Sequence, residues 1–159
     1  MEDKQINNNI IKIYKSKRKL ELCNGESVLE EFNVGLGFSP IGHKIREGDG
    51  RTPEGEYYIC TKNEKSKFTL FLGLSYPNIT DAEEGFKKGL INKEMLGKIN
   101  KAINNKKRPD WWTELGGEIG IHGKGSTYDW TAGCISLEDE DIKKLWNFTE
   151  LGTQVIIYI

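Results

Sequence analysis

A chain of 159 residues with 36% hydrophobic and 30% charged side chains has the length and balance of one globular domain with a sizeable core. Its 23 basic and 24 acidic residues nearly cancel, which argues against a nucleic-acid-binding protein held by bulk charge. No apolar run reaches the length of about 18 residues that a transmembrane helix needs, so we expect no integral membrane segment. The N-terminal MEDKQINNNI lacks the apolar core of a signal peptide, so we expect either an internal protein or one whose leader has been removed.

The first half of the chain has the pattern of β-structure. Short apolar–polar alternations, bounded by Gly and Pro, indicate strands in Ile10–Lys17, Lys19–Gly25, Ser27–Gly37, Glu56–Cys60 and Phe68–Asn78. The Asn24–Gly25 dipeptide predicts a tight hairpin turn, because both residues tolerate positive φ. Between these strands, FSPIGHKIREGDGRTPEG is a long glycine-rich loop, and loops of this length in a domain are usually functional.

The middle of the chain changes to a helical pattern. From Thr80 to Lys107 it is rich in Lys, Glu, Asn and Ala, and apolar residues recur at helical spacing at Ile91, Met95, Ile99, Ala102 and Ile103. We therefore expect one or two helices inserted into a β framework.

The last third returns to β-structure around a second helix. Gly116–Gly123 indicates a strand that ends at His122, Ser136–Gly152 indicates a helix with an acidic first turn, and Thr153–Ile159 indicates a closing strand. No repeat, linker or low-complexity segment interrupts the chain, so we predict a single domain over residues 1–159.

One segment, GIHGKGSTYDWTAGCISL, brings a histidine and a cysteine together with glycines beside both. A thiol acts as a nucleophile only as thiolate, and an imidazole such as His122 can accept the proton of Cys134. Gly133 allows a tight turn before Cys134, where backbone N–H groups would stabilise an oxyanion. The alternatives are a packed cysteine beside a surface histidine, and a metal site that would need His43 or Asp129 as further ligands. We expect no metal or other cofactor, and we interpret Cys23 and Cys60 as packing residues.

The same segment resembles the His/Cys motif of the L,D-transpeptidase (YkuD) catalytic domain. In that motif a His-Gly is followed by Ser or Thr, a variable residue, Gly and Cys, and Thr131, Gly133 and Cys134 match it. EGDGRTPEGEYYI and LGTQVIIY resemble further parts of this family in the expected order, while SYPN and DWTAGCI resemble its YafK-like branch. The likeness extends over most of Lys12–Tyr158.

The resemblance implies a mainly β fold, an L,D-transpeptidase-like β-sandwich, here with the helical insertion and a helix after Cys134. It implies acyl transfer on peptidoglycan stem peptides, with Cys134 as nucleophile, His122 as base and the backbone around Gly133 as oxyanion hole. A thioester would form with release of D-alanine, and an amine would then accept the acyl group. Carbapenem-type inhibitors are expected to react, and the substrate implies a location in the cell envelope or outside the cell.

Two positions depart from the family motif. Many members have Arg two residues after the Cys, where this chain has Ser136, and many have His before the Gly, where it has Ala132. The loop between His122 and Cys134 is also shorter than in many members. These departures leave open whether the acceptor is an amine or water, so hydrolysis by the same Cys/His pair is one alternative. A non-catalytic cell-wall-binding domain is another.

Further residues are candidates for substrate binding: Gly123, Thr131, Trp130, Tyr76 and Arg51. Among the charged loop residues His43, Lys44 and Arg51, one is expected to bind a stem-peptide carboxylate, and Arg51 is favoured because its fork is bidentate. Asp129 is expected to fix the loop through backbone N–H groups. We expect Trp111 and Trp112 to pack in the core or a lid, and the Gly116–Gly117 pair to act as the hinge of an insertion that closes over the cleft.

Overall fold

The computed structural model describes residues 8–159, and in this part of the chain the fold is mainly β with few helices. The strands are β1 Asn9–Tyr14, β2 Lys19–Asn24, β3 Ser27–Asn33, β4 Gly55–Asn63, β5 Phe71–Leu74, β6 Gly120–His122, β7 Ile135–Ser136 and β8 Gln154–Tyr158. The helices are α1 Ile79–Lys87, α2 Lys93–Asn104 and α3 Asp139–Trp146. The mainly β fold with a helical insertion and a helix after Cys134 is therefore confirmed.

The strands form one curled sheet in the order β3-β2-β1-β8-β4-β5-β6-β7. Neighbours are antiparallel except for two parallel pairs, β1 with β8 and β6 with β7. The predicted hairpin joins β2 and β3, with Asn24 opposite Ser27 and Gly25 at a φ of 59°. Strand β4 pairs with β8 on one side and β5 on the other, so it links the two halves of the sheet.

One apolar core lies between those halves. It combines buried side chains of the first strands, such as Ile11 and Leu20, with Ile121 and Ile135 from β6 and β7 and Leu145 from α3. Because the β6 and β7 residues are fully buried on this side, their strands are fixed at the edge that carries the candidate site.

The helical insertion, for which one or two helices were expected, consists of two, and the apolar spacing from Ile91 to Ile103 corresponds to the second of them. Asn78 caps α1 in a reciprocal capping box with Asp81, and Asn92 caps α2 by accepting the N–H of Met95. The predicted apolar face of α2 is found in a second small core, in which Ile99 and Ala82 pack with Leu115.

Several element boundaries differ from prediction, and the clearest differences are in β5 and in the segment after Cys134. Ser136, expected to begin the helix over Ser136–Gly152, lies in strand β7, and α3 itself spans only Asp139–Trp146. Strand β5 begins at Phe71 rather than Phe68, because the preceding residues turn, with Thr69 at a φ of 78°. Strand β7 is only Ile135–Ser136, which is too short for a periodicity signal. Among residues 8–159, no helix combines the length and apolar character needed to cross a bilayer.

Candidate active site

The histidine and the cysteine lie on two neighbouring parallel strands. In the β6–β7 register, Ile121 pairs with Ile135 and His122 pairs with Ser136. Both isoleucines point into the core, and side chains alternate between the faces of a strand, so His122 belongs to the opposite face. Extending the register back by one residue places Cys134 on the face of His122. The topology therefore joins residues that the chain separates by a loop.

The imidazole of His122 has one nitrogen engaged. Its Nδ1 lies 2.7 Å from the backbone carbonyl oxygen of Gly123. A carbonyl oxygen only accepts hydrogen bonds, so Nδ1 carries the proton and Nε2 keeps its lone pair. This backbone carbonyl therefore fixes the tautomer in which Nε2 can accept a proton.

Aromatic rings enclose the His122 side chain, which is only 1% exposed. Phe68 stacks on the imidazole with centroids 4.4 Å apart, and Trp130 meets it edge-on at 5.6 Å. Burial lowers the pKa of His122 below its ordinary value of 6.5, although the Gly123 hydrogen bond acts in the opposite direction. The imidazole is consequently neutral near pH 7.

The Cys134 thiol donates to the backbone carbonyl of Glu118, with Sγ and oxygen 3.3 Å apart. Burial raises the pKa of this thiol to about 11, while the Gly120 N–H and the Lys44 ammonium partly counteract that effect. With the thiol pKa raised and the imidazole pKa lowered, the resting pair is thiol and neutral imidazole rather than thiolate and imidazolium.

The turn before Cys134 requires glycine. Gly133 has a φ of 146°, and a Cβ there would lie 2.8 Å from the backbone oxygen of Arg51. The N–H of Gly133 donates to Thr131 Oγ1 at 3.1 Å, and the Thr131 hydroxyl donates to the Cys134 carbonyl at 2.8 Å. Thr131 thereby closes the turn that presents the thiol.

Ser136 organises the loop that follows the histidine. Its Oγ lies 3.0 Å from the carbonyl oxygen of Gly123 and 2.6 Å from that of Gly125. The Gly123 carbonyl is therefore shared between Ser136 and His122. At the position where many family motifs have Arg, this chain has Ser136. Its buried hydroxyl hydrogen-bonds to the same Gly123 carbonyl that fixes the tautomer of His122.

His122 and Cys134 line one cavity of about 560 Å³, a volume in the range of small-molecule and peptide sites. Its aromatic lining residues are Phe68, Trp111, Trp112 and Trp130, and its charged ones are Lys44, Glu47 and Glu118. The cavity thus combines apolar surface with charges of both signs beside the thiol.

The predicted substrate-binding residues divide into two groups. Trp130 and Thr131 line the cavity. Gly123 is buried and holds His122 instead, and Tyr76 is fully buried, with its hydroxyl donating to the Leu115 carbonyl at 2.8 Å. Arg51 lines a separate cavity, which Lys44 also borders, and neither Tyr76 nor Arg51 lines the cavity that holds the thiol. A strand-end tyrosine gives the same sequence pattern whether it faces a groove or the core.

The loop and lid expectations have different outcomes. Asp129 fixes the loop as expected, accepting the Leu36 N–H at 2.9 Å and pairing with Arg18 at 2.8 Å. Helices α1 and α2 do not line the cavity, whereas the segment that follows them does, through Trp111 to Glu118. Trp111 is buried and Trp112 is 64% exposed at that rim.

The sequence analysis does not single out two residues that contact the His122 imidazole and the Cys134 thiol. Phe68 was interpreted as the start of a strand, yet it lies in a turn and stacks on His122. Glu118 carries no motif, but its carbonyl accepts the Cys134 thiol, and its φ of 53° is uncommon for a residue with a side chain. Such backbone conformations often occur at functional sites. Within residues 8–159, no three His, Cys, Asp or Glu side chains come together as metal ligands.

The chain belongs to the YkuD family, since the sequence model of the L,D-transpeptidase catalytic domain matches residues 8–157. The predicted family resemblance is thereby confirmed, while the YafK-like branch stays a prediction. Comparison with curated proteins returned no match.

Solved structures share the fold over nearly the whole chain. Bd1075 from Bdellovibrio bacteriovorus is 25% identical, with a TM-score of 0.60 over 95% of this chain and 48% of its own. The helical cell shape determining protein Pgp2 from Campylobacter jejuni is 20% identical, with a TM-score of 0.66 over 99% of this chain and 55% of its own. An L,D-transpeptidase from Xylanimonas cellulosilytica is 19% identical, with a TM-score of 0.54 over 95% of this chain and 60% of its own. This chain therefore spans about half the length of the first two proteins.

Proposed function

We propose that this chain catalyses cysteine-dependent acyl transfer on peptidoglycan stem peptides. The observation that carries the proposal is the pairing of Cys134 with a His122 whose Nε2 is unprotonated, both on one strand face and in one cavity. Membership of the L,D-transpeptidase catalytic domain family supports the peptidoglycan substrate.

The first step would form a thioester. Cys134 Sγ attacks the carbonyl carbon of the diamino acid that precedes a terminal D-alanine, while His122 Nε2 takes the thiol proton. The carbon–nitrogen bond then breaks, and the imidazolium gives that proton to the nitrogen of the leaving D-alanine. A neutral resting pair suits this sequence, because the base is unprotonated and the thiol carries the proton to be moved.

The negative charge on the carbonyl oxygen needs hydrogen-bond donors in the transition state. The N–H of Gly133 is engaged by Thr131, so we assign the oxyanion to the N–H of Cys134 itself. Gly133 then serves to shape the turn, and Thr131 keeps the Cys134 backbone fixed, rather than either binding substrate directly.

The second step decides the product. Attack of an amine from a second stem peptide on the thioester gives a cross-link and regenerates the thiol, whereas attack of water gives a trimmed peptide. We propose the amine as acceptor, because Trp130, Phe68 and Trp112 give the cavity that holds the thiol an apolar lining, which limits water. The substrate would place the protein's action in the cell envelope.

Acylation by a carbapenem tests the thiol chemistry directly. L,D-transpeptidase LdtMt1, which shares this fold at 11% identity, has been solved in complex with imipenem. Intact-protein mass spectrometry with peptide mapping should find one imipenem adduct, on Cys134, and the His122→Ala variant should form it far more slowly. Cys60→Ala is the matched control and should react like the unchanged protein.

The product assay separates the acceptors. A stem tetrapeptide incubated with and without an added diamine should release D-alanine and give the amine adduct in preference to the free acid. If only the free acid forms, the thioester reacts with water and the activity is hydrolysis rather than acyl transfer. A different outcome would establish a wall-binding domain: the folded protein forms no adduct on Cys134, and the Cys134→Ala variant still binds the stem peptide.

A further inference from the structure

Lys44 is a buried cation on the wall of the active-site cavity. Its side chain is 2% exposed, and its Nζ donates to Asp49 Oδ1 at 3.0 Å and to the Arg46 carbonyl at 3.1 Å. An ammonium has three N–H donors, so two acceptors within residues 8–159 leave one donor for a ligand. Buried lysines are uncommon without a reason for their charge.

The ammonium lies near the nucleophile. Lys44 and Cys134 line the same cavity, and the positive charge of Lys44 acts to lower the pKa of the thiol. The Lys44 stem packs beneath the segment that reaches the thiol: a Cβ on Gly116 would lie 3.3 Å from Lys44 Cε. Two residues further on, the Glu118 carbonyl contacts Cys134 Sγ at 3.3 Å.

The other charges of the cavity weaken the effect of this cation without cancelling it, because the Glu118 carboxylate raises the pKa of the Cys134 thiol by less than the Lys44 ammonium lowers it. Glu47 and Glu118 are exposed, so water and salt screen their carboxylates, whereas a buried ammonium is screened much less. Asp49 is a close partner of Lys44, but three backbone N–H groups, from Ile45, Arg46 and Arg51, also share its charge. The field inside the cavity beside the thiol is therefore expected to attract anions.

Arg51, the residue favoured from sequence, is not available for this role. It lines the neighbouring cavity formed by the glycine-rich loop and α1, and its guanidinium lies 3.5 Å from the carbonyl oxygen of His43. Among the three charged loop residues singled out in the sequence, Lys44 alone lines the cavity that holds the thiol.

We infer that Lys44 is a specificity-determining residue that binds a carboxylate of the donor stem peptide. The inference rests on the proposed function and names the group by which the substrate is chosen. In the proposed first step, the leaving D-alanine carries a carboxylate two bonds from the amide nitrogen. The diamino acid offers a second carboxylate in some stem peptides, and either would supply the same ionic hydrogen bond to Nζ.

Two small alkylating reagents test the cation without assuming a substrate. Iodoacetate and iodoacetamide both alkylate a thiolate with loss of iodide, and they differ by a carboxylate against a neutral amide. The alkylation rates of Cys134 by the two reagents are measured by peptide mapping and expressed as a ratio, in which the thiolate fraction cancels. Dividing this ratio by the ratio for the unfolded protein removes the difference in intrinsic reactivity between the reagents. We expect the ratio to favour iodoacetate by about tenfold or more in the native protein, as a nearby ionic partner would give.

The variants separate ligand binding from a structural role. Lys44→Met should reduce the normalised ratio to about one, while Lys44→Arg should retain most of it. Asp49→Asn removes the partner carboxylate but keeps the ammonium, so the ratio should hold or rise. This variant also tests the role of Lys44 if Lys44→Met does not fold. The inference fails if Lys44 serves only to pair with Asp49. In that case the normalised ratio of the native protein will be near one, or Asp49→Asn will lower the ratio as much as Lys44→Met does.

Donor peptides then distinguish the two carboxylates. A tetrapeptide ending in D-alanine carboxamide, and one with the diamino-acid carboxylate amidated, are compared with the unmodified donor by D-alanine or D-alaninamide release. The amidation that raises KM about tenfold in the native protein, but not in Lys44→Met, identifies the bound group. Equal KM changes in both proteins would overturn the inference. Failure of both reagents and of imipenem to modify Cys134 would instead overturn the proposed function, and this inference with it.

Discussion

The two histidines of the chain show opposite ways of holding an imidazole. His43 Nε2 donates to Asp81 Oδ1 at 2.7 Å, and its Nδ1 accepts the Glu54 N–H at 2.8 Å, so both nitrogens are engaged. Within residues 8–159 no carboxylate pairs with His122, whose Nδ1 donates to a backbone carbonyl while Nε2 stays unprotonated. The histidine with the aspartate therefore stabilises structure, and the one without it has the free nitrogen that the proposed base requires.

The difference teaches that a carboxylate neighbour does not identify a catalytic histidine. Asp81 also accepts the buried Tyr57 hydroxyl at 2.8 Å and caps helix α1, so it ties the glycine-rich loop to that helix. What identifies His122 is a lone pair left over after the tautomer is fixed, together with a thiol in the same cavity.

The largest expected effect comes from replacing each histidine by alanine and comparing the rates at which Cys134 is acylated. His122→Ala should slow imipenem acylation of Cys134 by about 10²–10⁴-fold, the usual contribution of a general base. His43→Ala should slow it less than about tenfold, through loosening of the loop alone. Stopped-flow or mass-spectrometric acylation rates measure both, and comparable losses in the two variants would contradict the assignment.

The pH dependence of alkylation should show the neutral resting pair. Because burial raises the thiol pKa from 9.0 to about 11, the thiolate fraction below pH 9 is about 100-fold smaller than in the unfolded chain. The iodoacetamide rate at Cys134 should therefore keep rising to about pH 11, while imipenem acylation should decline only below the ordinary histidine pKa of 6.5. A rate plateau that begins well below pH 9 would mean a thiolate–imidazolium pair instead.

Weakening the structural histidine should affect stability and not the chemistry. Asp81→Asn leaves fewer acceptors for His43, Tyr57 and the Asn78 N–H, and should lower the free energy of unfolding by about 1–3 kcal/mol. Urea denaturation measures the loss, and the exposed Glu83→Gln on the same helix is the control. Acylation should stay within a few-fold, so a large loss of acylation at unchanged stability would move Asp81 into the active site.

The sequence was informative where a residue type has one chemical use. A histidine and a cysteine between glycines indicated the candidate pair His122 and Cys134, and helical spacing indicated the second inserted helix, α2. The two-residue strand β7, which creates the register between His122 and Ser136, was beyond prediction because two residues carry no periodicity. Phe68 was missed for a related reason: the turn at Thr69 that aims its ring at His122 has no glycine or proline signal.

Positions whose role depends on which way a side chain faces were assigned less well. Tyr76 and Trp130 are both aromatic residues near motif segments, yet one is in the core and the other lines the cavity. Arg51 has the better geometry for a carboxylate, but of the two residues only Lys44 lines the cavity that holds the thiol, while both line the neighbouring cavity. These differences arise from tertiary packing, which local patterns do not encode.

The position of β8 in the middle of the sheet has a consequence for synthesis. Residues 154–158 lie between β1 and β4, so these two strands have no partner on that side until the segment has left the ribosome. The residues that form the cavity are all translated earlier, yet the sheet that supports them cannot close before β8 is inserted. A nascent chain should thus emerge with its thiol chemistry unassembled, and acquire it in one late step.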